Sequence, residues 1–208
     1  WEPRWRPIAI KQRLGDLEVV GTDDEEIAVR GGDVAAEYEA DVQPGMFTTE
    51  IDLPLESPSR TVEAIDRLTG NMTVMIAGGN AVFEFPDLQE NVRLVDQQVG
   101  GATVTLEQLR KNGGVWELRV RVRYDETSGA LESHRGWIFD NPAYLISPAG
   151  ERMLHDGFET TLQNESEMGM AYLFDLEAAP IGWSFVYETP ATLLSIPVEY
   201  ELRDIPLP

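Results

Sequence analysis

The chain is 208 residues long, carries 16 basic against 37 acidic residues for a formal net charge of −21, and contains no cysteine. A field of that sign repels phosphate backbones and anionic lipid, so nucleic acid is not an expected partner. Without cysteine there are no disulfides, thiolate nucleophiles or zinc–thiolate centres, and no apolar run approaches the ~20 residues of a membrane-spanning helix. The acidic excess is spread along the chain, with 8 basic against 20 acidic residues up to residue 98 and 8 against 17 beyond it. A hydrophobic content of 42% is enough for ordinary cores and argues against a disordered chain. The opening Trp1-Glu2-Pro3-Arg4-Trp5 lacks methionine, which points to a longer precursor.

In chain order, the first half reads as short strands over residues 8–10, 17–20, 35–38, 47–53, 68–76 and 82–85. Residues 62–68 offer a helical turn as an alternative, because Ile65 and Leu68 are three apart. Met72, Val74 and Ile76 alternate, with Gly70 placed where a bulge is possible. The run Asp23-Asp24-Glu25-Glu26 falls between strands. Four adjacent acids repel one another unless a cation or basic group is near, which makes this run a calcium candidate.

The second half opens on a hairpin. Residues 102–109 alternate, Lys111-Asn112-Gly113-Gly114 supply positive-φ positions, and 115–124 alternate again. Trp116, Leu118, Val120, Val122 and Tyr124 fall on one face and read as core. Glu117, Arg119, Arg121 and Arg123 fall on the other and read as wetted. The three arginines either contact an anionic partner or pair with glutamates on neighbouring strands. Asp125 and Glu126 open an acidic loop and form the second calcium candidate, without the spacing of an EF-hand. Further strands are expected over 136–139, 143–147, 158–162, 170–176, 184–188 and 198–202. Ser147-Pro148-Ala149-Gly150, Asp156-Gly157 and Ala179-Pro180-Ile181-Gly182 act as turns between them.

Short strands at this spacing indicate an all-β protein, read as two tandem Ig-like antiparallel β-sandwich domains. An internal echo supports two domains: Val82-Phe83-Glu84-Phe85-Pro86-Asp87-Leu88 resembles Val198-Glu199-Tyr200-Glu201-Leu202-Arg203-Asp204-Ile205. The boundary is expected at Gln97-Gln98-Val99-Gly100-Gly101, giving domains 1–98 and 99–208. One continuous sandwich is the alternative.

No catalytic constellation accompanies the two histidines. Ser133, His134 and Asp140, or His155 and Asp156, have no nucleophile motif around them. The abundance of acids makes any pair of carboxylates uninformative. Trp116 reads as core and Trp137 and Trp183 as core or rim; Trp1 and Trp5, at the chain end, either pack against the second domain or an absent neighbour, or are exposed rings that could stack on a glycan.

The second half also resembles a known group. Val104-Thr105-Leu106-Glu107, Leu131-Glu132-Ser133-His134-Arg135-Gly136-Trp137, Gly157-Phe158-Glu159-Thr160-Thr161, Ala171-Tyr172-Leu173-Phe174-Asp175 and Phe185-Val186-Tyr187-Glu188-Thr189-Pro190 together resemble uncharacterised exported proteins of planctomycete bacteria. That resemblance implies Ig-like sandwiches and an extracytoplasmic setting, and no activity. The expectation is a non-enzymatic structural or protein-interaction module, engaging a protein partner or other domains of its own precursor. A ligand-binding module, calcium-stabilised or glycan-binding, is the alternative.

Overall fold

Strand alternation fixes the architecture, as the computed structural model shows; it describes residues 1–2, 5, 7–22, 24–30, 35–43, 45–90, 94–124, 136–164 and 166–207. The strands in chain order are β1 (Pro7–Arg13), β2 (Glu18–Gly21), β3 (Glu37–Asp41), β4 (Ala64–Phe85), β5 (Val95–Val99), β6 (Ala102–Asn112), β7 (Val115–Tyr124), β8 (Ala143–Ile146), β9 (Arg152–Leu154), β10 (Gly157–Gln163), β11 (Glu167–Phe174) and β12 (Ser184–Pro206). A single helical turn, α1 (Gly136–Phe139), precedes β8. One sheet has the order β3-β1-β4-β12-β8-β9 with β2 also pairing β4, and the other has the order β10-β11-β7-β6-β5.

The chain divides into two units, Trp1–Ile76 with Leu194–Pro208, and Ala77–Leu193. The second is therefore inserted in the first, and the two do not follow one another in tandem. The boundary expected at 98/99 falls inside the second unit, where β5 pairs with β6 from Val95↔Leu106 to Val99↔Ala102.

In the first unit β1 lies between β3 and β4, with Gln12 opposite both Tyr38 and Met72. Val19 of β2 sits opposite Leu68 of β4. Those two side chains join Ile27 and Ile65 in a small core, against which Leu53, Leu55, Tyr200, Ile205 and Leu207 pack.

The second unit is a β-sandwich. Its inner faces meet through Tyr172 of β11 and Phe185 and Tyr187 of β12, whose ring centroids lie 6.0 and 6.4 Å away. On β7, Trp116, Leu118, Val120, Val122 and Tyr124 are all buried, as alternation requires. Val120 faces Leu106 on one side and Met170 on the other. A register shift between Leu106 and Gln108 returns Leu109 to the buried side, so both leucines are core although three residues apart. Gly113, at φ +60, makes the β6–β7 hairpin turn that needs a positive φ.

Several expectations are corrected. Residues 68–76 and 82–85 are one strand, β4, which also absorbs most of the stretch offered as a helical turn. Residues 184–188 and 198–202 are likewise joined in β12. Residues 136–139 form α1 instead of a strand. The 47–53 stretch is not a strand; its Ile51 and Leu53 line a cavity over the sheet, while Phe47 is exposed. The supposed linker is the end of β5 and its turn into β6, and β9 has no counterpart among the expected strands. The internal echo does carry a shared conformation, because Asp87 and Asp204 both adopt φ 54, each just before an apolar residue that packs inward.

Candidate functional site

The first unit holds an apolar-walled cavity of 310 Å³. β1 contributes Ile10 and Gln12, β4 contributes Met72, and β12 contributes Tyr200 and Leu202. Thr49, Ile51 and Leu53 close it from above, their alternation placing every second side chain over the sheet. Volume and lining match the general form of a ligand pocket: apolar walls with a few placed polar groups.

Those polar groups are held in fixed roles. Gln12 is buried, and its Nε2 donates to the carbonyl oxygens of Arg13 at 2.8 Å and Asn71 at 3.4 Å. Only the amide nitrogen can meet two carbonyls, so Oε1 is the oxygen that accepts the Tyr200 hydroxyl at 2.9 Å. Thr49 Oγ1 donates to the Asp41 carbonyl at 3.4 Å. Tyr200 reaches Gln12 because Gly70 lies beneath its ring. A Cβ at Gly70 would stand 2.5 Å from the hydroxyl and 2.6 Å from Cζ. Burial raises the Tyr200 pKa, which keeps the phenol protonated and donating. A second, more polar cavity of 430 Å³ shares Tyr200 and is lined by Asp16, Asn71, Glu199 and Glu201.

The calcium candidates are placed as follows. Asp24 is exposed at φ 56, in a turn where its N–H donates to Gly21 O at 3.1 Å. Glu25 is half-buried and its Oε1 accepts the Ser59 N–H at 3.2 Å. Glu26 is exposed and bridges Val20. Among the described residues, no three histidines or acids gather as a metal set. Asp23, Asp125 and Glu126 lie outside the described residues, as do Ser133 and His134.

His155 is half-buried among the rings of Tyr172, Phe158 and Phe174, at 4.9, 6.1 and 6.5 Å. Asp156 does not orient it; its Oδ2 accepts the Asp175 N–H at 2.8 Å instead. Trp1 and Trp5 are 38% and 48% exposed, and Trp116 is core as expected. Trp137 packs edge-on against Tyr124 at 5.9 Å.

Within the arginine stripe, Arg121 is met by glutamates on both neighbouring strands, and Arg119 pairs with Glu117 of its own strand. Arg121 Nε lies 3.1 Å from Glu107 and its Nη1 3.5 Å from Glu167. Glu117 departs from the expected wetted face, being 1% exposed. Arg110 donates to both of its oxygens at 3.0 Å, Asn112 donates at 2.7 Å, and Arg119 also donates to it. Burial pushes its pKa up, but the donors outweigh burial and hold the carboxyl below its ordinary value.

Two features escape the sequence reasoning. The Gln12–Tyr200 pair spans 188 positions and leaves no local signal. The other is a polar group inside the sandwich. Asn141 Nδ2 donates to Tyr187 Oη at 2.9 Å and to Thr189 Oγ1 at 2.8 Å, and Tyr124 bonds Thr189 at 2.5 Å. Burial pushes both tyrosine hydroxyls far above their ordinary pKa, so they act as neutral hydrogen-bonding groups.

No protein-family model matches the chain, and comparison with curated proteins and with solved structures likewise gives no match.

Proposed function

We propose that the chain is a structural and interaction module of an exported bacterial protein, built on Ig-like β units, and that it takes a protein partner by strand addition at β10. The observation that carries this is the state of β10. It ends the five-stranded sheet, and every residue after Gly157 in it is exposed. An edge strand presents a row of backbone donors and acceptors that template another strand. Gly157–Gln163 contains no lysine or proline, the residues that most often blunt such edges; Glu159 and the register shift between Thr160 and Leu162 are its only such devices.

The edge also offers side-chain purchase. Phe158 is 36% exposed yet anchored, stacked on Phe139 at 5.3 Å and tilted against Tyr172 at 6.0 Å. Leu162 is 37% exposed. The chain's charge of −21 favours a partner strand with basic residues between its apolar ones. The planctomycete resemblance supports the extracytoplasmic setting.

A display library of extended peptides with alternating apolar and basic residues tests the reading. Selected binders should weaken at least ~10-fold (about 1.4 kcal/mol) against the double variant Phe158→Lys, Leu162→Lys. They should be unchanged by Val95→Lys with Val99→Lys on β5, at the other edge. Binders indifferent to β10, or sensitive to β5 alone, would remove strand addition at β10 as the mode of binding.

A further inference from the structure

We propose that the 310 Å³ cavity of the first unit binds a small amine: an aliphatic or aromatic body carrying one ammonium group. Size sets the body. An apolar cavity of ~150 Å³ takes one benzene, so this space takes about two rings or a medium-length alkyl chain. Ile10, Met72, Ile51 and Leu53 supply the apolar walls.

Hydrogen-bond accounting sets the head group. Each polar side chain in the lining has its protons committed within the protein. Gln12 spends both amide hydrogens on the Arg13 and Asn71 carbonyls. Tyr200 spends its hydroxyl proton on Gln12 Oε1, and Thr49 spends its own on Asp41 O. What remains are lone pairs, on the phenolic oxygen of Tyr200, on Oε1 of Gln12 and on Oγ1 of Thr49. The polar side chains of the site therefore accept and do not donate. A carboxylate or phosphate, which can only accept, leaves these oxygens facing its own. An ammonium offers three donors.

Charge selects in the same direction. The neighbouring cavity shares Tyr200; its lining includes Glu201, which is paired with Arg203, and the carboxylates of Asp16 and Glu199. A cation seated at Tyr200 is attracted by these carboxylates and by the ring face. This inference is independent of the β10 edge, which belongs to the other unit.

Octylamine, octanol and octanoate share a chain and differ in the head, so they isolate the claim. Calorimetric titration of the whole chain, with methyl spectra of Met72 and Ile10, should show saturable one-to-one binding of octylamine. Octanol should bind more weakly and octanoate at least ~10-fold more weakly than octylamine, the loss expected when polar groups are left unmatched (about 1.4 kcal/mol or more). Ile51→Trp should fill the space and abolish binding. Leu202→Trp at the rim, where the native side chain is 51% exposed, is the second filling variant should the first not fold. Tyr200→Phe should keep the apolar space and narrow the preference for octylamine over octanol. Octanoate binding as tightly as octylamine would overturn the acceptor argument. Octylamine binding that survives the filled cavity would assign it to surface charge, and absence of binding by all three would remove the cavity as a site.

Discussion

Glu117 shows how far a single residue departs from the pattern that predicts it. Alternation puts it opposite Trp116 and Leu118, on the face expected to be wet, and that placement on the strand is right. Its burial comes from neighbours that alternation does not identify. The β6–β7 register sets Arg110 opposite Glu117, and Asn112 and Arg119 complete the enclosure. A carboxylate enclosed by three donors is stabilising only while ionised. Because its pKa in the folded chain is depressed, that stabilisation is fully present above the ordinary value of 4.5 and is lost as pH falls through the lower folded-state value. Glu117→Gln should cost about 1–3 kcal/mol at pH 7, the range for a charged hydrogen bond with partly solvated partners. It should also reduce the fall in stability on the acid side. Urea unfolding of both proteins between neutral pH and pH 3 checks this; parallel pH profiles would show that Glu117 contributes no proton-linked stability. Gln12 and Tyr200 are the opposite case. Nothing within a few positions of either marks it as a partner of the other, because the meeting depends on β1, β4 and β12 all being in register.

Among elements, the legible ones are those whose buried face is continuous. β7 can be read residue by residue, since both neighbours in its sheet bury the same side. β4 and β12 each read as two strands, because their apolar pattern weakens in the middle: Gly78-Gly79-Asn80 interrupts one, and Thr192, Leu194, Ser195 and Pro197 blur alternation in the other. Backbone pairing continues through such stretches, and pairing is not a side-chain property. β10 alternates only loosely, and the reason lies in its neighbour. Its register on β11 shifts between Thr160 and Leu162, and Gly169 lies beneath that shift. A Cβ at Gly169 would meet Thr161 Oγ1 at 2.7 Å, Leu162 Cβ at 2.8 Å and Leu162 N at 3.1 Å, so β10 would have to move outward. Gly169→Ala should therefore destabilise the second unit by about 1–3 kcal/mol, the range for forced overpacking. Hydrogen exchange locates the effect: faster exchange confined to β10 and its partners on β11 is expected. A stability loss with β10 exchange unchanged would mean that the glycine serves the strand's interior and not the edge.

At the scale of the whole molecule, two β units are legible in the sequence and their nesting is not. Length and turn spacing suggest two domains of about 100 residues, and a glycine-rich run in mid-sequence attracts the boundary. Nesting leaves no such mark, because the chain crosses between units within β4 and again within β12, where strand pairing favours the same residues on both sides. The consequence is specific. Residues 77–193 hold both sheets of the sandwich in one continuous stretch, whereas residues 1–76 need 194–208 to complete the first unit. A cut at 98/99 separates β4 from β12 and β5 from β6. It also takes Phe83, Phe85 and Leu88, all buried, away from partners such as Phe185, which stacks on Phe85 at 6.3 Å. Burial of three such side chains is worth about 5–9 kcal/mol, which is comparable to the total stability of a domain at ~5–15 kcal/mol. Residues 77–193 expressed alone should therefore unfold in one cooperative transition, with dispersed amide and methyl spectra. Residues 1–98 and 99–208, made separately, should not. Mixing those two halves should restore cooperative unfolding if the sandwich reassembles through β4–β12 and β5–β6. Independent cooperative folding of 1–98 would show that its strands suffice without β12, and the nested division would then have to be abandoned for a tandem one.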